Sequence, residues 1–273
     1  MIRTLPTSLA IALAALAALA LAALALPAQS IRYAPGQYRY AVVDSIKRSD
    51  VRGEAKQSYT LVATQQMAIL LTPRGGDSLR ARYTLEVNRL TSDLPVQLPP
   101  VEKMEGTVVE GTMTAAGRMV RHTYHSPDSV SLEVAALADN MTQFLLWVTP
   151  GATVGRSITD TTSSRQTDGG SDITERTVTT TTIEGDTTFA GQPAWRIRRD
   201  TETRVDGVLM QQGNAMQESG GGNGTGYFYV SKSGVYLGSS AKSSTTTVLK
   251  LPDGTSIASA LAATSTVTLV PER

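Results

Sequence analysis

Cysteine is absent from the 273-residue chain, histidine occurs twice, and aromatic residues make up 5% of it. Each scarcity excludes something. Without cysteine there is no disulfide framework, no thiolate metal site, no Cys nucleophile and no attachment point for the lipid of a bacterial lipoprotein. With 25 basic residues against 24 acidic ones, the chain lacks the charge excess that draws proteins to nucleic acid or anionic lipid. The few aromatics are scattered, and the chain ends Val270-Pro271-Glu272-Arg273 instead of in an aromatic strand. The girdled pattern of a transmembrane β-barrel is therefore missing.

One long apolar run is present. Residues 9–26 consist only of Ala, Leu and a single Ile, preceded by Arg3 and followed by Pro27, Ala28, Gln29 and Ser30. A basic start, an apolar stretch and a small-x-small end read as a secretory signal peptide over residues 1–30, cleaved after Ser30 or, less favourably, after Ala28. An uncleaved anchor is the alternative, since the run is about the shortest that spans a bilayer. Arg3 is the only charged residue in this segment, so its removal takes the formal net charge from +1 to zero and leaves roughly 37% apolar residues. That is enough for one large or two small domains, and it predicts a periplasmic or secreted β protein with no membrane span in the mature chain.

The remaining chain alternates. Ala81, Tyr83, Leu85 and Val87 are apolar where Arg82, Thr84, Glu86 and Asn88 are polar, and Tyr38, Tyr40 and Val42 follow the same period of two. Similar runs occupy residues 58–63, 66–72, 107–114, 118–124, 173–183, 194–204, 208–216, 226–232, 235–251 and 264–270. Ala116-Gly117, Glu184-Gly185-Asp186, Asp206-Gly207, Ser233-Gly234 and Asp253-Gly254 read as hairpin turns. The 36 threonines suit solvated sheet faces, although the polar stretch 161–172 is open to a disordered reading. The exception to the β pattern is a helix expected over about 131–148. Leu137, Met141, Phe144, Leu145 and Val148 share one face of it, and Pro150-Gly151 ends it. Two β-rich halves, 31–125 and 150–273, would flank this 126–149 segment, with duplication as one way to explain their similar outlines.

No constellation for chemistry emerges. His122 and His125 are three apart in a strand and so point to opposite faces. Asp160, Asp168, Asp172 and Glu175 surround Gly169-Gly170 without EF-hand spacing. The run Gly220-Gly221-Gly222-Asn223-Gly224-Thr225-Gly226 is followed by Tyr227-Phe228-Tyr229-Val230, a strand where a phosphate loop needs a helix, so it reads as a flexible hairpin loop. Serine-nucleophile motifs are missing. No catalytic residue, cofactor or metal ligand is nominated.

The apolar leader, the hairpins on both sides and the single apolar helix together resemble, in layout, the bacterial lipoprotein-carrier superfamily and related envelope β proteins. This resemblance implies an open half-barrel of long antiparallel strands with the helix packed on its concave face, and carriage of lipidated or hydrophobic cargo. Leu137, Met141, Phe144 and Leu145 are then the expected wall of a cavity for a lipid or other apolar ligand. The plain alternative gives the same residues to a filled core. An envelope module that pairs with a protein partner through an exposed strand is the second functional reading.

Overall fold

A computed structural model describes residues 31–94, 98–127, 132–148, 152–168, 170–211 and 214–271. The expected signal segment, with its cleavage positions at Ser30 and Ala28, lies outside the described residues. Eleven strands form one antiparallel sheet: β1 (Gly36–Arg52), β2 (Ala55–Gly75), β3 (Ser78–Ser92), β4 (Val108–Thr114), β5 (Met119–His125), β6 (Ser157–Asp168), β7 (Ser171–Phe189), β8 (Gln192–Gln211), β9 (Asn214–Ser231), β10 (Tyr236–Lys250) and β11 (Ser256–Val270). The spatial order is β5-β4-β3-β2-β1-β11-β10-β9-β8-β7-β6. Neighbouring strands are consecutive in the chain in every case but one. The exception is β1 with β11, which pair in the middle from Arg39↔Val270 to Arg52↔Ile257. The sheet is open, with β5 and β6 at its edges.

The strands are longer than the sequence patterning suggested, because several glycine signals lie inside them. Glu184-Gly185-Asp186 is a bulge in β7, where the register slips between Ile183 and Gly185, and the turn comes later at Ala190-Gly191. Asp206-Gly207 lies within β8, where a Cβ on Gly207 would meet the carbonyl oxygen of Asp172 at 2.2 Å. The polar stretch left open to a disordered reading is largely strand: β6 pairs with β7 from Ser157↔Thr182 to Asp168↔Ser171. Its Thr-rich rows exchange hydroxyl hydrogen bonds, Ser157 with Thr182 at 2.7 Å and Thr159 with Thr180 at 3.0 Å. β-Branched hydroxyl side chains suit such a two-sided solvated ribbon. The turns at Ala116-Gly117, Ser233-Gly234 and Asp253-Gly254 form as expected, each with a positive-φ glycine.

Burial is concentrated at one end of the sheet. Tyr40, Val42, Met67, Ile69, Leu71, Tyr83, Leu85, Val109, Met113, Ile183, Ile197, Val230 and Tyr236 are buried on the face that receives the helix α1 (Leu132–Thr142). Val134, Ala138 and Met141 form the buried side of α1. Each large aliphatic side chain here contributes about 1.5–3 kcal/mol by leaving water. The helix stops about six residues before its expected end. Gln143 and Phe144 donate their N–H groups three residues back, to Asn140 and Met141, which tightens the last turn. Beyond it the chain is held by tertiary bonds: Leu146 O accepts from the Tyr33 hydroxyl at 2.8 Å, and Val148 N donates to Ala116 O at 3.1 Å. These bonds satisfy backbone groups that a continued helix would have used internally.

Candidate functional site: a creased trough in the sheet

On β9 the even-numbered residues from Glu218 to Phe228 share one face, and four of them are Gly220, Gly222, Gly224 and Gly226. Register fixes their neighbours. Gly226 lies between Arg199 of β8 and Ala241 of β10, Gly224 between Thr201 and Ser243, Gly222 between Thr203 and Thr245, and Gly220 between Val205 and Thr247. This is the face that carries Ile197, Phe228 and Val267 into the core. The run read as a flexible loop is thus the middle of a strand.

At Gly220 and Gly222 neighbouring backbone comes too close for a side chain, and at Gly224 and Gly226 neighbouring side chains do. A Cβ on Gly220 would sit 2.4 Å from Thr246 O, and one on Gly222 would sit 2.4 Å from Ser244 O. On Gly224 it would meet Thr201 Oγ1 at 2.8 Å, and on Gly226 the Phe228 ring at 2.9 Å. Such an alternate-glycine row lets a sheet coil sharply about one strand. In a flat sheet β1 and β8, four strand spacings apart, would be separated by about 19 Å. Here both line a single cavity of about 360 Å³.

Asp44 and Ile46 form one wall of this cavity, Arg199 and Thr201 the other, and Phe228, Ala241, Ser243, Ala263 and Ser265 lie between them. Farther out on the same face is a second concavity of about 580 Å³ bordered by Arg48, Asp50, Leu209, Glu218, Leu249 and Ile257. The two together make a trough running away from the helix. At its outer end Asp50 accepts from Ser259 Oγ at 2.6 Å and from Arg48 Nε at 2.9 Å. The Ser259 hydroxyl, and then Arg48, hold the Asp50 carboxyl below its ordinary value.

Charges on the two faces of β8 are treated differently. On the outer face Arg196 pairs with Glu184, Arg198 with Asp200 at 2.9 Å and Arg204 with Glu202 at 3.1 Å. Arg199 points into the trough, half-buried, and has no ion-pair partner among the described residues. Burial pushes its guanidinium pKa down. Asp44, on the opposite wall, likewise has no ion-pair partner among the described residues.

The residues singled out from sequence sit at the closed end. Met141 and Leu145 are buried in the core, and Leu137 and Phe144 are partly buried against it. The Phe144 ring lies 5.2 Å from that of Tyr40 and 5.9 Å from that of Tyr236. None of the four lines the 360 Å³ cavity, which begins on β1 two residues beyond Val42. The two histidines do face opposite ways: His122 approaches Asp139 of the helix at 3.6 Å, while His125 opposes Val108. In the acidic cluster Asp172 is held by Arg165 through bonds of 2.7 and 2.6 Å, and the Asp160 carboxylate caps its own neighbour, Thr161 N, at 2.8 Å. The side chain of Asp168 lies outside the described residues. Among the described residues no three His, Cys, Asp or Glu side chains converge on a metal position, and no helix is long and apolar enough to cross a membrane.

No protein-family model matches the sequence, and no curated protein sequence matches it. Similar layouts occur among solved structures. OpdL of Pseudomonas aeruginosa is 9% identical and aligns over 86% of this chain and 99% of its own, with a TM-score of 0.28. A DUF1329 family protein from Desulfovibrio piger is 11% identical over 85% of this chain and 84% of its own, with a TM-score of 0.21. The COG4313 outer membrane channel from Pseudomonas putida F1 is 9% identical over 89% of this chain and 98% of its own, with a TM-score of 0.19.

Proposed function

We propose that the chain is an exported, non-enzymatic envelope protein that holds an apolar or amphiphilic ligand in the creased trough of its sheet. One observation carries this reading: a concave cavity of about 360 Å³, bordered by Ile46, Phe228, Ala241 and Ala263 and kept open by a row of glycines. Its size falls at the lower end of the range for small-molecule sites. The apolar leader supports export. Leu137 and Met141 of the helix, with Phe144 and Leu145 just beyond it, then serve as the plug closing one end of the trough, through Tyr40 and Tyr236.

Two measurements test this reading. Protein purified without detergent from an exporting host is extracted with organic solvent, and the extract is analysed by mass spectrometry. Separately, the protein is titrated with the apolar fluorophore N-phenyl-1-naphthylamine. Co-purified lipid together with saturable fluorophore binding that Ala263→Trp abolishes is the expected result. Neither lipid nor saturable binding overturns the reading.

A second reading, strand pairing with a protein partner, draws on β6. One side of this strand pairs with β7, and no strand among the described residues covers the other. Loss of a captured envelope partner on placing Pro at Ser163, with the fold intact by circular dichroism, is the result expected from it.

A further inference from the structure

Resting on that reading, we propose that the ligand is an amphiphile with a zwitterionic head, an acidic group beside an ammonium, seated between Arg199 and Asp44 with its apolar part along the trough. The two side chains lie on opposite walls of one cavity, and among the described residues they are its only inward-facing charges. Lys242 also borders it, but alternation along β10 turns that side chain to the outer face, since Ala241 and Ser243 face inward. Neither Arg199 nor Asp44 has an ion-pair partner among the described residues. By contrast Arg196, Arg198 and Arg204, on the solvated face of the same strand, are all paired.

Four classes of ligand can be weighed against this lining. A purely anionic head gains from Arg199 and is repelled by Asp44, and a purely cationic head meets the reverse. A neutral apolar ligand displaces water from both charges and gives them nothing in return, which is costly for groups already half out of solvent. A head carrying both signs satisfies both walls, and its charge-assisted hydrogen bonds to a guanidinium and a carboxylate are the strong kind. The lining selects against the other three classes as well as for the fourth, which is how specificity between similar amphiphiles arises. Thr201, Ser243 and Ser265 on the same stretch of trough add neutral hydroxyls for the rest of the head. The apolar part then extends outward past Ile46 and Ala263 toward Leu249 and Ile257.

The test uses the whole mature chain and three lysolipids with one acyl chain in common, each below its micellar concentration. These are lysophosphatidylethanolamine, anionic lysophosphatidylglycerol and neutral monoacylglycerol, scored by displacement of N-phenyl-1-naphthylamine. The zwitterion is expected to bind about tenfold more tightly than either of the others, and Arg199→Gln and Asp44→Asn are each expected to erase most of that preference. Circular dichroism spectra and urea unfolding midpoints of both variants should match those of the parent chain, which shows that they fold. The exchanged pair, Arg199→Asp with Asp44→Arg, should recover the preference in part. Equal binding of the three lysolipids, or an unchanged ranking in both single variants, overturns this proposal while fluorophore binding leaves the broader reading intact. Absence of fluorophore binding in the parent chain overturns the broader reading itself.

Discussion

The two ends of the same strands are built to different specifications. On β1, Tyr40 and Val42 are 1% and 6% exposed, whereas Arg48 and Asp50, farther along the same face, stay partly open to solvent. On β9, Val230 is fully buried while Gly220, Gly222, Gly224 and Gly226 on the same face present no side chain at all. The closed end gathers rings, aliphatic residues and the helix into a packed core. The open end is Thr, Ser, Gly and charge around a trough. Stability is therefore supplied mainly at one end, and the other is free to keep a concavity that a packed core would fill.

The sharpest way to break this comparison is to truncate matched residues at the two ends. Leu85→Ala at the closed end removes a fully buried side chain and is expected to cost about 2–5 kcal/mol in urea unfolding. Leu261→Ala, on the trough face of β11, should cost under about 1 kcal/mol. Equal losses would show that the open end carries stability after all. Next in size is Gly222→Val, whose Cβ would collide with Ser244 O. It should destabilise by roughly 1–3 kcal/mol through overpacking and also abolish fluorophore binding, because the crease must open.

Alkaline titration sharpens the contrast from another side. Burial raises the phenol pKa of Tyr33, Tyr40, Tyr83 and Tyr236 above the ordinary 10.0. The fold favours their protonated forms, so the stability they contribute is fully present below pH 10.0 and declines as pH rises past it. Tyrosinate absorbance should show these four groups ionising only together with unfolding. At the open end the sign is opposite. Asp50 is held below the ordinary 3.8, so its contribution is present above that value and fades as pH falls through the lowered one. Asp50→Asn should flatten the acid limb of the stability profile by no more than a few tenths of a kcal/mol, because the Arg48 pair is largely solvated. Smallest of all is Thr161→Ala on the solvated ribbon of β6, expected to shift the unfolding free energy by less than about 0.5 kcal/mol.

Alternation made the strands legible, since Tyr38, Tyr40 and Val42, or Ala81 through Val87, can lie on a two-faced sheet and hardly anywhere else. What alternation could not reveal is what a glycine does within it. Gly117, Gly234 and Gly254 close turns, Gly185 sits at a bulge, and Gly220, Gly222, Gly224 and Gly226 crease a strand, yet all are the same letter. The distinguishing signal was the spacing of Gly220, Gly222, Gly224 and Gly226 at every second position, the period of a strand face. The helix was legible in Leu137 and Met141 of its apolar face, but neither the deeper burial of Val134 and Ala138 nor its end was. Thr142 to Val148 contain nothing that forbids helix. What stops it are the Tyr33 hydroxyl and the Ala116 carbonyl, more than a hundred and some thirty residues away in the chain respectively for the groups they meet. That Arg199 and Asp44 face one cavity was not legible in the sequence, because it depends on the crease between them.

The pairing of β1 with β11 in the middle of the sheet sets an order of events during folding. Arg39 waits for Val270 as its partner, so the central ladder is among the last contacts the chain can complete during synthesis, and it carries a large loop-closure cost. Until then the β1 edge is an open template for pairing with other chains. A protein with this topology gains from being kept unfolded until both partners of the central ladder are present.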